Sequence, residues 1–157
     1  GIAKGYAVDR ALQIVRECGI REAMISAGGD SGILGEKRGK PWIIGIQHPR
    51  KPDELALVLP LSDSAISTSG DYERYFMRDG QRIHHIISPH TGKPANGTWS
   101  TTVTGPDALT TDALSTTLFV LGAEKGIALI ETLDNIDAVI IDSSGKVHYS
   151  SGLKVPD

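Results

Sequence analysis

The sequence predicts an α+β domain in which helices pack against a mostly antiparallel sheet. Three observations lead there. Asp79-Gly80, a strong hairpin dipeptide, separates the apolar runs Tyr75–Met77 and Ile83–Ile87. Ser143-Ser144-Gly145 separates Ala138–Ile141 from Lys146–Tyr149 in the same manner. Long helical periodicity is confined to residues 2–18 and 106–121, so hairpins outnumber strand-helix-strand crossovers.

Taken in order, Ala3, Ala7, Ala11, Leu12, Val15 and Cys18 recur at helical spacing, and Gly19 supplies a left-handed helix end. Ala23–Ser26 reads as a strand that breaks at Gly28-Gly29-Asp30. Ile33-Leu34 and Trp42–Ile46 flank the polar stretch Glu36–Lys40, and a hairpin across that stretch is expected. Leu55–Leu61 and Ala65–Ser69 are two more strands, and Thr101–Thr104 another. Pro106 and Asp107 start a helix that runs to Leu121 and stops at Gly122. Ile127, Leu129, Ile130 and Leu133 mark a shorter helix, and the C-terminal hairpin follows.

The 157 residues suit a single domain, 1–157, large enough to bury roughly 70% of its unfolded surface without disulfides. The chain enters its first helical pattern at Gly1 without a methionine, so a preceding N-terminal segment is expected. No apolar run reaches the ~20 residues of a membrane span. A net charge of −3 exerts no general pull on nucleic acid, and no aromatic residues interleave Lys37-Arg38-Gly39-Lys40 or Arg50-Lys51 as a single-strand platform requires. The lone Cys18 cannot form an internal bridge and, ending an apolar helical pattern, is expected to be buried.

Chemistry concentrates in a few places. Asp112 and Thr116 lie four apart on the predicted helix, so both can direct oxygen to one point, the donor type that hard cations prefer. A carboxylate on a largely apolar helix needs a partner, although Asp112 could instead cap the first turn; the residues alone leave both readings open. His85 precedes the Ser88-Pro89-His90-Thr91-Gly92 turn, which would fix its strand end, while His84 faces the opposite side by the period of two. His48, His90 and His148 read as structural. Lys4, at the start of the first helix beside Gly1 and Gly5, suits phosphate, but spacing alone favours close helix packing. Gly28-Gly29-Asp30 and Ser67-Thr68-Ser69 lie at strand ends, as turns or as binding loops.

In combination, GIAKGYAVD (1–9), SAGGD (26–30), AISTSGDYERYF (65–76), HHIISPHTGKP (84–94) and TTDALSTTLFVLG (110–122) resemble the FAD:protein FMN transferases, the ApbE family once described as thiamine-biosynthesis lipoproteins. The resemblance implies a T-fold-like flavin-transferase domain and magnesium-dependent transfer of FMN from FAD to a Ser/Thr hydroxyl of an acceptor protein, releasing AMP. It implies metal ligands at Asp112 and Thr116, aided by Gly1 and Ser115, and FAD contacts at Lys4 and Ile87, with Gly28, Gly29, Asp30, Ser67, Thr68 and Ser69 as further candidates. His85 matches the catalytic histidine. Acceptors are expected among membrane redox-complex subunits, in the periplasm or at the outer face of the cytoplasmic membrane.

This chain departs from the family at Ser88, where aspartate usually precedes the proline. Family members also carry a substantial segment ahead of the first motif, so this chain is expected to be the C-terminal portion. A hydrolase yielding free FMN and AMP, or a non-catalytic flavin-binding module, are the alternatives.

Overall fold

The computed structural model describes residues 1–153; residues 154–157 of the expected 1–157 domain lie outside the described residues. The chain begins with α1 (Ala3–Glu17), followed by β1 (Ala23–Ala27), β2 (Asp30–Leu34), β3 (Trp42–His48), β4 (Lys51–Leu61) and β5 (Ala65–Gly70). Next come β6 (Tyr75–Arg78), β7 (Gln81–His84), β8 (Thr98–Gly105), α2 (Ala108–Leu121) and α3 (Ala123–Ile130). The strands β9 (Asp137–Asp142) and β10 (Val147–Tyr149) precede a 3-10 turn at Ser151–Leu153. Six strands form one sheet in the order β1-β2-β5-β8-β9-β10, and every pairing in it is antiparallel.

All three helices cover one face. α1 packs on β1 and β2, α2 on β5 and β8, and α3 on β9. Beneath them Val103, Leu118, Ile130, Ala138 and Ile140 form the main apolar cluster, and Val8, Ala65 and Ala108 a second. Residues paired across an antiparallel ladder share a face, which is why the register Val103↔Ala138 and Thr101↔Ile140 brings this set together. The outer face carries Ile66, Thr102, Val139 and Ile141, all buried. The separate β3–β4 hairpin supplies the matching layer: Ile44, Ile46, Leu57 and Leu59 on one side are shielded, while Ile43 and Val58 on the other are exposed.

Three expectations are corrected here. The polar stretch 36–40 is not a hairpin turn between Ile33-Leu34 and Trp42–Ile46, because β3 pairs with β4 alone. Both edges of β2 are already occupied: β1 reaches one through the Gly28-Gly29 turn, and β5 holds the other. Both turn residues have positive φ, 55° and 97°, which a two-residue hairpin loop of this hand requires and which glycine supplies without strain. Cys18 is exposed rather than buried, since at 3.6 residues per turn it falls off the Val8–Leu12 stripe that faces the sheet. The strand expected over Ile83–Ile87 ends at His84, and Ile87 instead forms a bridge with Pro94.

Beside the Val8–Ala108 contact, the backbones of α1 and α2 approach closely at Gly5. A Cβ on Gly5 would sit 2.2 Å from the Ala108 carbonyl oxygen, so only glycine permits the approach. Asp9 then accepts the Ala108 and Leu109 amides at 2.8 and 2.9 Å, and the N-cap Asp107 accepts the Thr110 amide at 2.7 Å. The free N–H groups at the start of α2 are thus met by two carboxylates, placed where the helix dipole favours negative charge.

At the far edge, Asp142 accepts hydrogen bonds from the Ser144 hydroxyl at 2.6 Å and the His148 imidazole at 2.8 Å, and from the Ser144 and Lys146 amides. These donors, the Ser144 hydroxyl foremost, hold its carboxyl well below the usual carboxylate range. Its contribution to stability is therefore full above the unfolded-state pKa of about 3.9 and is lost as pH falls from there toward the depressed native value. Urea midpoints of the protein and an Asp142→Asn variant should differ most at neutral pH and converge below about pH 4; a constant gap would contradict the assignment.

Candidate functional site

A cleft of about 560 Å³ opens where the chain start, α2 and the turn after β7 meet, and Gly1, Ile87, Asp112 and Thr116 all line it. Its volume lies within the range common for small-molecule sites. Asp112 and Thr116 face it together because they are four residues apart on α2, and Val120 extends the same stripe with an apolar wall. Asp112 is not a helix cap, since Asp107 holds that position. The Asp112 carboxylate is almost fully buried, and its Oδ2 accepts the Gly5 amide at 3.1 Å. Among the described residues no hydrogen bond engages Oδ1.

Thr116 is oriented from behind by the sheet. The Ser69 hydroxyl lies 3.1 Å from Thr116 Oγ1 and 2.9 Å from Ser115 Oγ, and Ser115 donates to the Asp112 carbonyl at 3.1 Å. Each hydroxyl has one proton. With Ser115 donating to the carbonyl and Ser69 to Ser115, Thr116 donates to Ser69, which leaves a Thr116 lone pair free toward the cleft. Ser115 itself is 1% exposed and engaged on both sides, so it supports Thr116 and does not reach the cleft.

Other candidates fall outside the cleft. Lys4 turns its ammonium onto the Gly28 carbonyl at 2.8 Å and the buried Asp30 carboxylate at 2.5 Å, tying α1 to the β1–β2 turn. That pairing ties the start of α1 to the Gly28 carbonyl and the Asp30 carboxylate, on either side of Gly29. Ser67 bonds Thr111 at 2.8 Å beneath α2, and Thr68, on the opposite face of the sheet, bonds Thr102 at 2.8 Å. The cleft also includes His90, which sequence reasoning treated as structural. Its position in the turn that begins directly after Ile87 was the available signal.

The two adjacent histidines have opposite surroundings. His84 is buried; its Nε2 donates to the Ala95 carbonyl at 2.9 Å, its Nδ1 accepts the Ile86 amide at 3.3 Å, and its ring meets Phe119 edge-on. Both nitrogens are engaged, so it is a neutral structural imidazole. His85 is exposed, with Nδ1 3.2 Å from the Arg74 carbonyl. A carbonyl can only accept, so Nδ1 carries a proton, and in the neutral ring the lone pair is therefore on Nε2. His85 does not line the cleft, but it stands two residues before Ile87, which does. The following turn is closed by main-chain bonds, Ser88 to Lys93 at 2.9 Å and Gly92 to Ser88 at 2.9 Å, so it forms without an acidic side chain at position 88.

The family model described as the ApbE family matches residues 1–140. The chain belongs to this family. A relative from Klebsiella pneumoniae named FAD:protein FMN transferase is 40% identical over 96% of the chain, and one of the same name from Treponema pallidum is 38% identical over 97%. The chain spans about half the length of these curated relatives, 46% and 45%. In structure it is similar to the ApbE protein of Thermotoga maritima, with a TM-score of 0.90, 43% identity and coverage of 96% of this chain and 50% of that one. The flavin transferase ApbE from Vibrio cholerae aligns with a TM-score of 0.81 and 35% identity, over 95% and 48% of the two chains. Membership accords with the α+β architecture read from the hairpins and helices.

Replacing His84 by alanine should lower stability by roughly 2–4 kcal/mol, because it strands the Ala95 carbonyl and opens space beside Phe119. His85→Ala, at an exposed position, should change stability by no more than about 0.5 kcal/mol in the same urea titration.

Proposed function

We propose that this chain carries the metal and phosphate machinery of a magnesium-dependent flavin transferase that moves FMN from FAD to a Ser/Thr hydroxyl of an acceptor protein and releases AMP. The observation that carries the reading is the single cleft shared by Gly1, Ile87, Asp112 and Thr116. Two of those residues offer hard oxygens, a buried carboxylate and a hydroxyl whose proton is drawn away toward Ser69. Family membership and the printed names of the relatives support the same chemistry.

The donor set suits magnesium. Among the described residues no three His, Cys, Asp or Glu side chains cluster as a metal site. One carboxylate with neutral oxygens is how proteins commonly hold this cation, which keeps several waters and takes the remaining ligands from phosphate. Asp112 and Thr116 would hold it, with the Gly1 carbonyl oxygen beside them and Ser115 acting through Ser69. When bound, magnesium neutralises pyrophosphate charge and stabilises the charge that develops on the departing AMP phosphate.

The chain's own residues perform the rest. The acceptor hydroxyl oxygen bonds to the FMN phosphorus as the pyrophosphate P–O bond to AMP breaks, and the hydroxyl proton passes to His85 Nε2. Its partner nitrogen, held by the Arg74 carbonyl, keeps the ring in the required tautomer. The main chain at Ile87 and the apolar wall at Val120 line the ligand space. Lys4 acts at a distance, by fixing α1 and hence Gly1 through Asp30. We place the acceptor among subunits of membrane redox complexes, outside the cytoplasm, as the family resemblance implies.

The full-length protein incubated with FAD, magnesium and an acceptor domain should release AMP and yield a flavin-labelled acceptor. Free FMN without labelling would favour a hydrolase, and intact FAD a binding module. Asp112→Ala should reduce metal-dependent turnover by at least about 10²-fold, since among the described residues Asp112 brings the one carboxylate to the cleft. His85→Ala should lower turnover about 10²–10⁴-fold, the usual scale for a lost general base, with His90→Ala within about threefold of the parent. The reverse ranking would transfer the proton-accepting role to His90.

A further inference from the structure

Asp71, at the end of β5, is 6% exposed and belongs to no part of the cleft. Arg50 grips it with both guanidinium nitrogens, Nη1 to Oδ1 at 2.7 Å and Nη2 to Oδ2 at 2.6 Å, while Arg82 Nη1 donates to Oδ1 at 3.2 Å. Both arginines also lie over aromatic rings, Arg50 at 4.2 Å from the Trp99 centroid and Arg82 at 4.1 Å from that of Tyr75. Arg50 comes from the turn of the β3–β4 hairpin, Arg82 from β7, and Trp99 from β8. One buried carboxylate thus joins the outer layer, the main sheet and the small hairpin that leads into His85.

That hairpin needs such a tether. β6 and β7 have four residues each, pair only with one another, and β6 is exposed throughout. Two-stranded ribbons of this size are marginal by themselves. His85 takes its ring orientation from the Arg74 carbonyl, opposite it at the open end of the hairpin, so its distance from α2 depends on where the hairpin as a whole is held. β5 is the common support: Ser69 bonds Thr116 on α2, and two residues later Asp71 bonds Arg82 on β7.

We propose that Asp71 is a positioning residue which, through Arg82, sets the placement of the His85 imidazole relative to the Asp112–Thr116 cleft. The proposal rests on the reading of His85 as proton acceptor. Its bidentate partner Arg50 holds the carboxylate in place, so loss of Arg82 releases the hairpin without disturbing the sheet.

The experiment uses the full-length protein and compares Arg82→Gln, Arg82→Lys and Asp71→Asn with the parent. Arg82→Gln leaves the Arg50–Asp71 pair intact and preserves the fold even where Asp71→Asn does not. For Arg82→Gln, kcat for flavin transfer should fall 10- to 100-fold with KM for FAD within twofold. Amide exchange in residues 75–85 should quicken at least tenfold while residues 112–118 keep their protection. Arg82→Lys, which restores a cation, should recover most of kcat. Unchanged exchange in the hairpin, or a fall in kcat with equal loosening of α2, overturns the proposal while leaving the transfer reading intact. A parent protein that releases no AMP overturns the transfer reading itself, and that result is visible before any variant is made.

Discussion

The site depends on how α1 is locked to α2. Gly5 lets the two backbones meet, its amide reaches the Asp112 carboxylate, and Asp9 takes the first two amides of α2. Each bond alone is modest, about 1 kcal/mol for a helix cap. Together they specify rotation and height of α2 to within a hydrogen-bond length, which a greasy contact between larger side chains would not. Gly1 and Asp112 line one cleft as a consequence of that registration.

Beneath α2 the packing changes character along the helix. Toward α3, Leu118 joins an apolar cluster with Val103, Ile130 and Ile140. Near the cleft the contacts with β5 are hydroxyl to hydroxyl, Ser67 with Thr111 and Ser69 with Ser115 and Thr116. Apolar packing is non-directional, whereas hydroxyl contacts fix where each proton points. The apolar half anchors the helix, and the polar half orients the oxygens that face the cleft.

A division of labour also separates His84 from His85. The first is buried against Phe119 with both nitrogens engaged, and it holds the chain that turns toward Ile87. The second is exposed with one nitrogen tied and one open. The end of the strand divides them: His84 closes β7, and His85 lies in the bend that follows. Arg82, on the strand that ends at His84, bonds Asp71 at the end of β5.

Local chemistry was enough to read much of this protein from its residues. Both long helices and the two hairpins at Asp79-Gly80 and Ser143–Gly145 follow from periodicity and turn residues a few positions apart, and so does the shared face of Asp112 and Thr116. Tertiary structure decided which strands pair: β2 went to β1 and β5, leaving β3 to β4, because a strand has two edges and distant segments compete for them. It also placed His90 in the cleft, gave Lys4, Ser67 and Thr68 partners away from it and Ser69 a bond to Thr116, exposed Cys18, and joined Arg50, Asp71 and Arg82 from three separate segments. No neighbour in sequence encodes those contacts; they exist only once the sheet order brings remote residues within reach of a hydrogen bond.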